Sequence, residues 1–333
     1  MPGWRVGVVG AGPAIQAIHL PTLALFGDAL QVTHVMDPDA TIASGVAEPL
    51  AAKPVTTLYE MLADGIDIAV IASPNAYHAD QIEQLCDSGV RGILAEKPLG
   101  TSPDEVARVA AAVTQHSVAL VVGAMHLYDP AWLAIDPASL GAGPFHARCA
   151  VYIPPNPYFE DMATTMIRPP ATIHSDPPSA ADILRGGILG LAIHDLPLIR
   201  RFIPQLEQVF VAETLAPWGY VITASGPAGS VELLARTGGT WRPDWTLDIW
   251  GSEAQLSIAF PPSYVHTGSA IATLTSQDGV TKFGPYPTDG YIAEWREMLN
   301  LMTGAPAHYL LDDVIADIDY ALALAHLAAN ASS

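Results

Sequence analysis

The sequence predicts an α/β protein: a doubly wound parallel sheet in its N-terminal part, then an α+β part built on a largely antiparallel, open sheet. Two patterns carry this. Up to about residue 124, short apolar runs alternate with helical segments, as in a parallel sheet with helices on both faces. Beyond it, short alternating runs are separated by glycine, proline and polar turns, as antiparallel strands are. Two domains follow, 1–124 and 125–333, in a chain of 333 residues that is long enough for both.

Composition narrows the function. Half of the residues are hydrophobic and 14% are charged, so a large core is available. The formal net charge of −20 argues against a nucleic-acid partner, which needs a basic footprint. No uninterrupted apolar stretch reads as long enough to span a bilayer, and the N-terminus enters a strand without a basic, apolar leader. The expectation is a soluble, cytoplasmic protein with no membrane partner. Cys86 and Cys149 are the only cysteines and lack C-x-x-C spacing, which reads as two buried thiols in a reducing compartment. Lysine stands only at Lys53, Lys97 and Lys282, so a lysine here is seldom surface filler.

The first strand is the run containing Val6, Val8 and Val9. Gly10-Ala11-Gly12 follows at once, then a helical pattern with Pro13 in its first turn. Strand, glycine turn and helix form the context of a dinucleotide-binding fingerprint. Gly10 permits a tight turn, and Gly12 lets the backbone approach a pyrophosphate at the positive end of the helix. The third glycine of G-x-G-x-x-G is absent, since Ile15 stands there after Ala14. Residues 31–36 read as the second strand, ending at Asp37-Pro38-Asp39. An acid at that tip is where the ribose 2′-hydroxyl of NAD is bound. No Arg or Lys follows at once to neutralise a 2′-phosphate, so NAD is favoured over NADP.

Thr57-x-x-Glu60 and Ser102-x-x-Glu105 are capping-box patterns, the second with Pro103 in the first turn. Residues 67–72, 92–95 and 119–122 read as buried strands. Two polar clusters sit at carboxyl ends of these strands, where ligands of such sheets bind: Ser73-Pro74-Asn75-x-x-His78 and Glu96-Lys97-Pro98. The proline-rich stretch 152–178 reads as an ordered loop over a cleft. Residues 182–203 read as one apolar helix carrying Gly186, Gly187, Gly190, His194 and Asp195. Strands are expected at 208–215, 219–225, 229–236, 245–250, 254–260, 270–276 and 279–283, and closing helices near 290–303 and 312–329.

Together these pieces resemble one family over essentially the whole chain, the glucose–fructose oxidoreductase/inositol dehydrogenase (Gfo/Idh/MocA) family. The matching residues are Gly10-Ala11-Gly12 with His19-Leu20-Pro21, Asp37-Pro38-Asp39, Ser73-Pro74-Asn75-x-x-His78, Ala95-Glu96-Lys97-Pro98-Leu99, and Gly186-Gly187 leading to His194. The Glu-Lys-Pro element downstream of Pro-Asn-x-x-His is the most specific. The resemblance implies a Rossmann domain followed by an α/β domain whose open sheet makes a homo-oligomer contact. It also implies NAD(P)-dependent oxidation or reduction of a small-molecule sugar, cyclitol or related alcohol. On that basis Gly10, Gly12, Pro13, Ala14, Ile15, Asp37, Ser73, Pro74, Asn75, His78, Glu96 and Lys97 are expected to hold the cofactor. Lys97 matches the family lysine that hydrogen-bonds the reacting oxygen, where an ammonium stabilises developing alkoxide. His194 matches the general acid/base on the substrate hydroxyl, a task suited to imidazole near neutral pH. His126, Tyr128, Tyr152, Arg168 and Asp195 are weaker substrate candidates. No metal is expected, because His174-x-Asp176 and His194-Asp195 lack a recognised ligand spacing. A serine hydrolase is disfavoured, as no G-x-S-x-G elbow exists.

The chain departs from the family at one sensitive place. An aspartate commonly stands four residues before the histidine; here it is Gly190. A second acid, often three residues after, is replaced by Pro197. Asp195 lies about a quarter-turn around the helix and is a doubtful substitute. A larger substrate, an acid from the 152–178 stretch (Glu160, Asp161 or Asp176) or altered chemistry would each account for this. Three readings stand: a hydride-transferring oxidoreductase on a sugar-like or cyclic polyol or keto substrate; an NAD-retaining epimerase or eliminase with no net redox change; and a non-catalytic NAD- and ligand-sensing regulator. The pairing of Lys97 with His194 argues against the last.

Overall fold

The computed structural model describes residues 3–168, 178–238 and 242–331. It divides into two compact, discontinuous units. One comprises Met1–Gly123, Glu160–Ile173 and Glu294–Ile315; the other comprises Ala124–Phe159, His174–Ala293 and Ala316–Ser333.

The first unit is built on six strands: β1 Trp4–Val9, β2 Leu30–Met36, β3 Lys53–Val55, β4 Ile68–Ile71, β5 Gly92–Glu96 and β6 Ala119–Gly123. They pair in parallel in the order β3-β2-β1-β4-β5-β6. This is the doubly wound order, with its reversal between β1 and β4, so the ligand crevice opens at the carboxyl ends of those two strands. The central strands are near-continuous apolar runs because helices cover both faces; Val6, Val8, Val9 and all of β4 are fully buried. Strand β3, with Pro54, and the helices Ala40–Ala47 and His78–Asp87 complete the winding.

The capping residues act as their spacing suggests, with one difference. Thr57 Oγ1 accepts from the Glu60 N–H at 3.2 Å, and the Glu60 carboxylate accepts from the Thr57 N–H at 3.2 Å. Ser102 accepts from the Glu105 N–H, but the Glu105 carboxylate reaches one residue further back, to the N–H and hydroxyl of Thr101.

The second unit carries eight strands: β7 Phe145–Ile153, β8 Gln208–Thr214, β9 Gly219–Gly226, β10 Gly229–Thr237, β11 Asp244–Trp250, β12 Ala254–Ala259, β13 Ile271–Ser276 and β14 Gly279–Phe283. Their order is β14-β13-β12-β11-β7-β10-β9-β8. Every pairing is antiparallel except β10 with β7. Strand β7 lies at the centre and was not among the expected strands. Its Ala147, Cys149, Val151 and Ile153 are buried, while Arg148 and Tyr152 point to the exposed face. Tyr152 thus stands on the opposite side of the sheet from Cys149, whose thiol reaches Asp195. That alternation removes it from the pocket expected beside His194.

Two helical expectations change. The stretch 152–178, expected as loop, holds a helix at Asn156–Ala163; residues 169–177, with His174 and Asp176, lie outside the described residues. The single helix expected over 182–203 is three pieces: Ala180–Gly190, a 3₁₀ turn Ala192–His194, and Leu196–Arg200. Asp195 explains the break. Its fully buried carboxylate accepts from His126 Nδ1 at 2.9 Å, Trp245 Nε1 at 2.9 Å and Cys149 Sγ at 3.2 Å. A continuous helix would have to forgo this anchoring to β7 and β11, and a buried carboxylate needs such donors. One further helix, Leu311–Ala331, has the length and apolarity of a membrane span, but half of its most apolar window is buried, as in a core helix.

The Asp195 anchor generates a test. Trp245→Phe keeps the ring and removes one donor to a buried charge, so unfolding in urea should show a loss of about 2 kcal/mol. A loss within about 0.5 kcal/mol of zero would mean the bond contributes nothing measurable.

Candidate active site

The glycine turn forms as the fingerprint requires. Gly10 has φ +82°, and a Cβ there would stand 2.8 Å from the Ser73 backbone, so no side chain fits. A Cβ on Gly12 would meet only the Ala72 carbonyl at 4.0 Å. Nothing in the chain itself demands glycine there. The helix after the turn begins at Pro13. Asp37, at the tip of β2, accepts the Ala11 N–H through Oδ2 and the Asp39 N–H through Oδ1, both at 3.0 Å. The acid is thereby fixed beside the glycine turn.

A cleft of about 1150 Å³, open to solvent, runs along these residues. Gly10, Gly12, Pro13, Asp37, Ser73 and Pro74 line it; Ala14, Ile15, Asn75, His78, Glu96 and Lys97 are not on its wall. Ile15 and His78 are fully buried. The two ring nitrogens of His78 lie 2.8 Å from the carbonyls of Ser73 and Pro98, so it staples the loops after β4 and β5. Its role is to position that wall rather than to touch a ligand. Sequence reasoning missed other parts of the wall, among them Thr57, Tyr77 and Ile167. Arg168, expected near substrate, lies on this cleft as well, paired with Asp161 at 2.6 Å and Glu160 at 2.9 Å. These two acids are therefore engaged, and neither is a ready stand-in for the acid absent at Gly190.

Glu96 ends β5 and Lys97 follows it. Trp295, in helix Gly290–Met302, donates its indole N–H to His19 Nδ1 at 3.2 Å, and His19 Nε2 lies 3.0 Å from Glu96 Oε1. An indole can only donate, so Nδ1 accepts and the imidazole proton sits on Nε2, aimed at Glu96. Burial pushes the Glu96 carboxyl up, yet the His19 hydrogen bond and nearby positive charge outweigh it, so Glu96 titrates below the ordinary range. Gly123 leaves room for this carboxylate; a Cβ there would stand 3.0 Å from Glu96 Cδ. Burial lowers the Lys97 pKa, and the Glu96 charge works against that.

In the second unit His194 closes the 3₁₀ turn and is 8% exposed. Its ring lies 5.8 Å from that of His126 and 5.9 Å from that of Trp245. His126 and Tyr128 are buried, and His126 stacks on Phe260 with centroids 3.6 Å apart. The glycines before His194 divide by role. A Cβ on Gly187 would meet the Tyr220 ring at 2.6 Å, whereas on Gly186 or Gly190 it would meet nothing within 4 Å. The position of the absent family acid is open space. Asp195, by contrast, is wholly committed inside the fold.

The coupling of Glu96 to Lys97 can be measured without any substrate. Glu96→Gln removes the charge that favours the ammonium, so the Lys97 pKa should fall further. Competitive amine labelling against pH, with only three lysines to resolve, reads the shift. A higher or unchanged midpoint would contradict the coupling.

Comparisons with known proteins bear on this arrangement. Residues 4–124 match the Gfo/Idh/MocA family, an oxidoreductase family with an NAD-binding Rossmann fold. An inositol 2-dehydrogenase of Rhizobium meliloti is 29% identical over 241 residues, 70% of this chain and 65% of that protein. An inositol 2-dehydrogenase/D-chiro-inositol 3-dehydrogenase of Shouchella clausii is 31% identical over 154 residues, 44% of this chain and 43% of that one. The chain thus matches less than two thirds of the length of these curated relatives. Among solved structures, the 3-ketoreductase KijD10 of Actinomadura kijaniata, with TDP-benzene and NADP, superposes with TM-score 0.72 at 17% identity over 96% of both chains. GenD2 from gentamicin A biosynthesis, with NAD, superposes with TM-score 0.72 at 20% identity over 100% of this chain and 96% of that one. Over residues 4–124 the fold, the motif order and the sequence match agree with the NAD-binding Rossmann fold of the Gfo/Idh/MocA family.

Proposed function

We propose that this protein is an NAD(H)-dependent oxidoreductase that moves a hydride between nicotinamide and a sugar-like or cyclic polyol or keto substrate. The observation that carries the reading is the shared cleft of the glycine turn and Asp37, whose carboxylate is fixed by the Ala11 N–H. The fit is steric and electrostatic. Gly10 and Gly12 present bare backbone, the helix starting at Pro13 directs its N–H groups to the same place, and Asp37 suits a ribose diol. The preference for NAD rests on charge: Asp37 would repel a 2′-phosphate, and the Arg168 guanidinium on the cleft wall is committed to Glu160 and Asp161. The substrate class is supported by the inositol dehydrogenases among the relatives.

The bound nicotinamide would supply the hydride acceptor or donor. Lys97 would donate a hydrogen bond from Nζ to the reacting oxygen, stabilising negative charge as it develops. Burial lowers its pKa toward proton exchange, and the Glu96 charge opposes that fall. His194 would take the hydroxyl proton on its imidazole during oxidation and return it during reduction. The open position at Gly190 leaves volume for a substituent where the family has an acid.

The test is a pair of titrations, NADH and NADPH separately, by fluorescence on nucleotide-free protein. NADH should bind at least about tenfold more tightly, and Asp37→Ser should narrow the gap, by about 1.4 kcal/mol for each tenfold. Binding of neither nucleotide would overturn the reading. With a substrate found by screening myo-inositol and aldoses, Lys97→Ala and His194→Asn should each lower kcat by about 10²–10⁴-fold while NADH affinity holds.

A further inference from the structure

The dinucleotide cleft has a wall that comes from far along the chain. Ile167 and Arg168 line it together with Gly10, Gly12 and Asp37, some 151 residues from the glycine-turn helix in sequence. One side chain, Gln16, clasps Ile167 there. Gln16 Nε2 donates to the Ile167 carbonyl at 2.9 Å, and Gln16 Oε1 accepts the Ile167 N–H at 2.8 Å. The other Nε2 hydrogen goes to the Ala11 carbonyl at 2.7 Å, inside the glycine turn. Two carbonyls and one N–H fix the amide orientation, and all three of these bonds are made only one way round. Gln16 is 7% exposed, so water competes poorly for them.

The far side of the same segment is fitted as well. A Cβ on Gly45, in helix Ala40–Ala47, would stand 2.8 Å from Ile167 Cδ1. The glycine therefore leaves a seat for the isoleucine on the helix that follows Asp37. At its root the segment is braced by the Arg168 pairs to Glu160 and Asp161. Residues 165–168 have no regular structure of their own. Among the described residues these contacts hold them, and the Gln16 clasp ties them to the turn.

We propose that residues 164–168 form a strap across the dinucleotide cleft and that Gln16 is the latch fastening it, so that unlatching sets the rate of nucleotide exchange. The proposal rests on the reading of the cleft as a nucleotide site. Gln16 is on this account a positioning residue, since it touches the turn and the strap rather than the reacting atoms. Because the same amide holds the Ala11 carbonyl, strap and glycine turn move as one.

Stopped-flow displacement of bound NADH tests this on the whole protein, with Gln16→Ala and with Ile167→Pro. The second substitution removes one latch donor from an irregular segment and leaves the turn untouched. The dissociation rate should rise about tenfold in both variants, while Kd rises by less, because access to the cleft speeds up too. Amide exchange of residues 164–168 without nucleotide should quicken in the same two variants. Wild-type binding of NADH with unchanged dissociation in both variants would overturn the strap and leave the nucleotide reading intact. Failure of the wild type to bind NADH or NADPH would overturn both.

Discussion

A part-buried carboxylate, that of Glu96, gathers the contacts around the end of β5. Glu96 ends β5, and the donor that meets it, with nearby positive charge, holds its carboxyl below the ordinary range against desolvation. That donor, His19, is a donor at the right nitrogen only because Trp295 occupies the other one. Gly123 supplies the volume in which the carboxylate sits. Lys97, the next residue, has its ammonium sustained against burial by this charge. Lys97 thus stands beside the end of a chain of contacts that begins at Trp295 in helix Gly290–Met302. Removing any link leaves a buried polar group without its partner, which costs more than the bond itself.

Much of the fold was legible because local patterns and tertiary structure agree. The apolar runs at β1, β2, β4, β5 and β6 and the alternating runs from β8 to β14 appear nearly where expected. Strand β7 escaped notice because its interior positions begin with the small Ala147 and Cys149, which blunt the alternation, and a proline-rich stretch follows. Strand β3 is three residues long and contains a proline, too little for a period to register. The break after Gly190 could not be read from the local apolar pattern, because it is set by Asp195 bonding to residues from three other parts of the chain. The same limit applies to the site. Gly10, Gly12 and Asp37 announce themselves by order along a strand–turn–helix. Nothing local announces that Arg168 faces the nucleotide cleft, or that His78 is a staple.

The acids around His194 show why neighbours in sequence are poor guides to chemistry. Asp195 is adjacent, ionisable and unavailable, since three donors already converge on it. Gly190, which can contribute no charge, faces space that a side chain could fill without collision. The departure from the family is therefore not forced by crowding.

The discontinuity of the two units has a consequence for how the protein is made. A fragment ending at residue 124 carries every motif of the nucleotide half, yet it lacks Ile167 and Trp295, the partners of Gln16 and His19. During synthesis the glycine turn and the β5 tip emerge early and wait for the ribosome to deliver residues 160–173 and then 294–315. The first unit to be translated is thus among the last parts to be finished. Its two halves cannot be exchanged as cassettes at the apparent boundary, because evolution has threaded the later gene segment back through the earlier one.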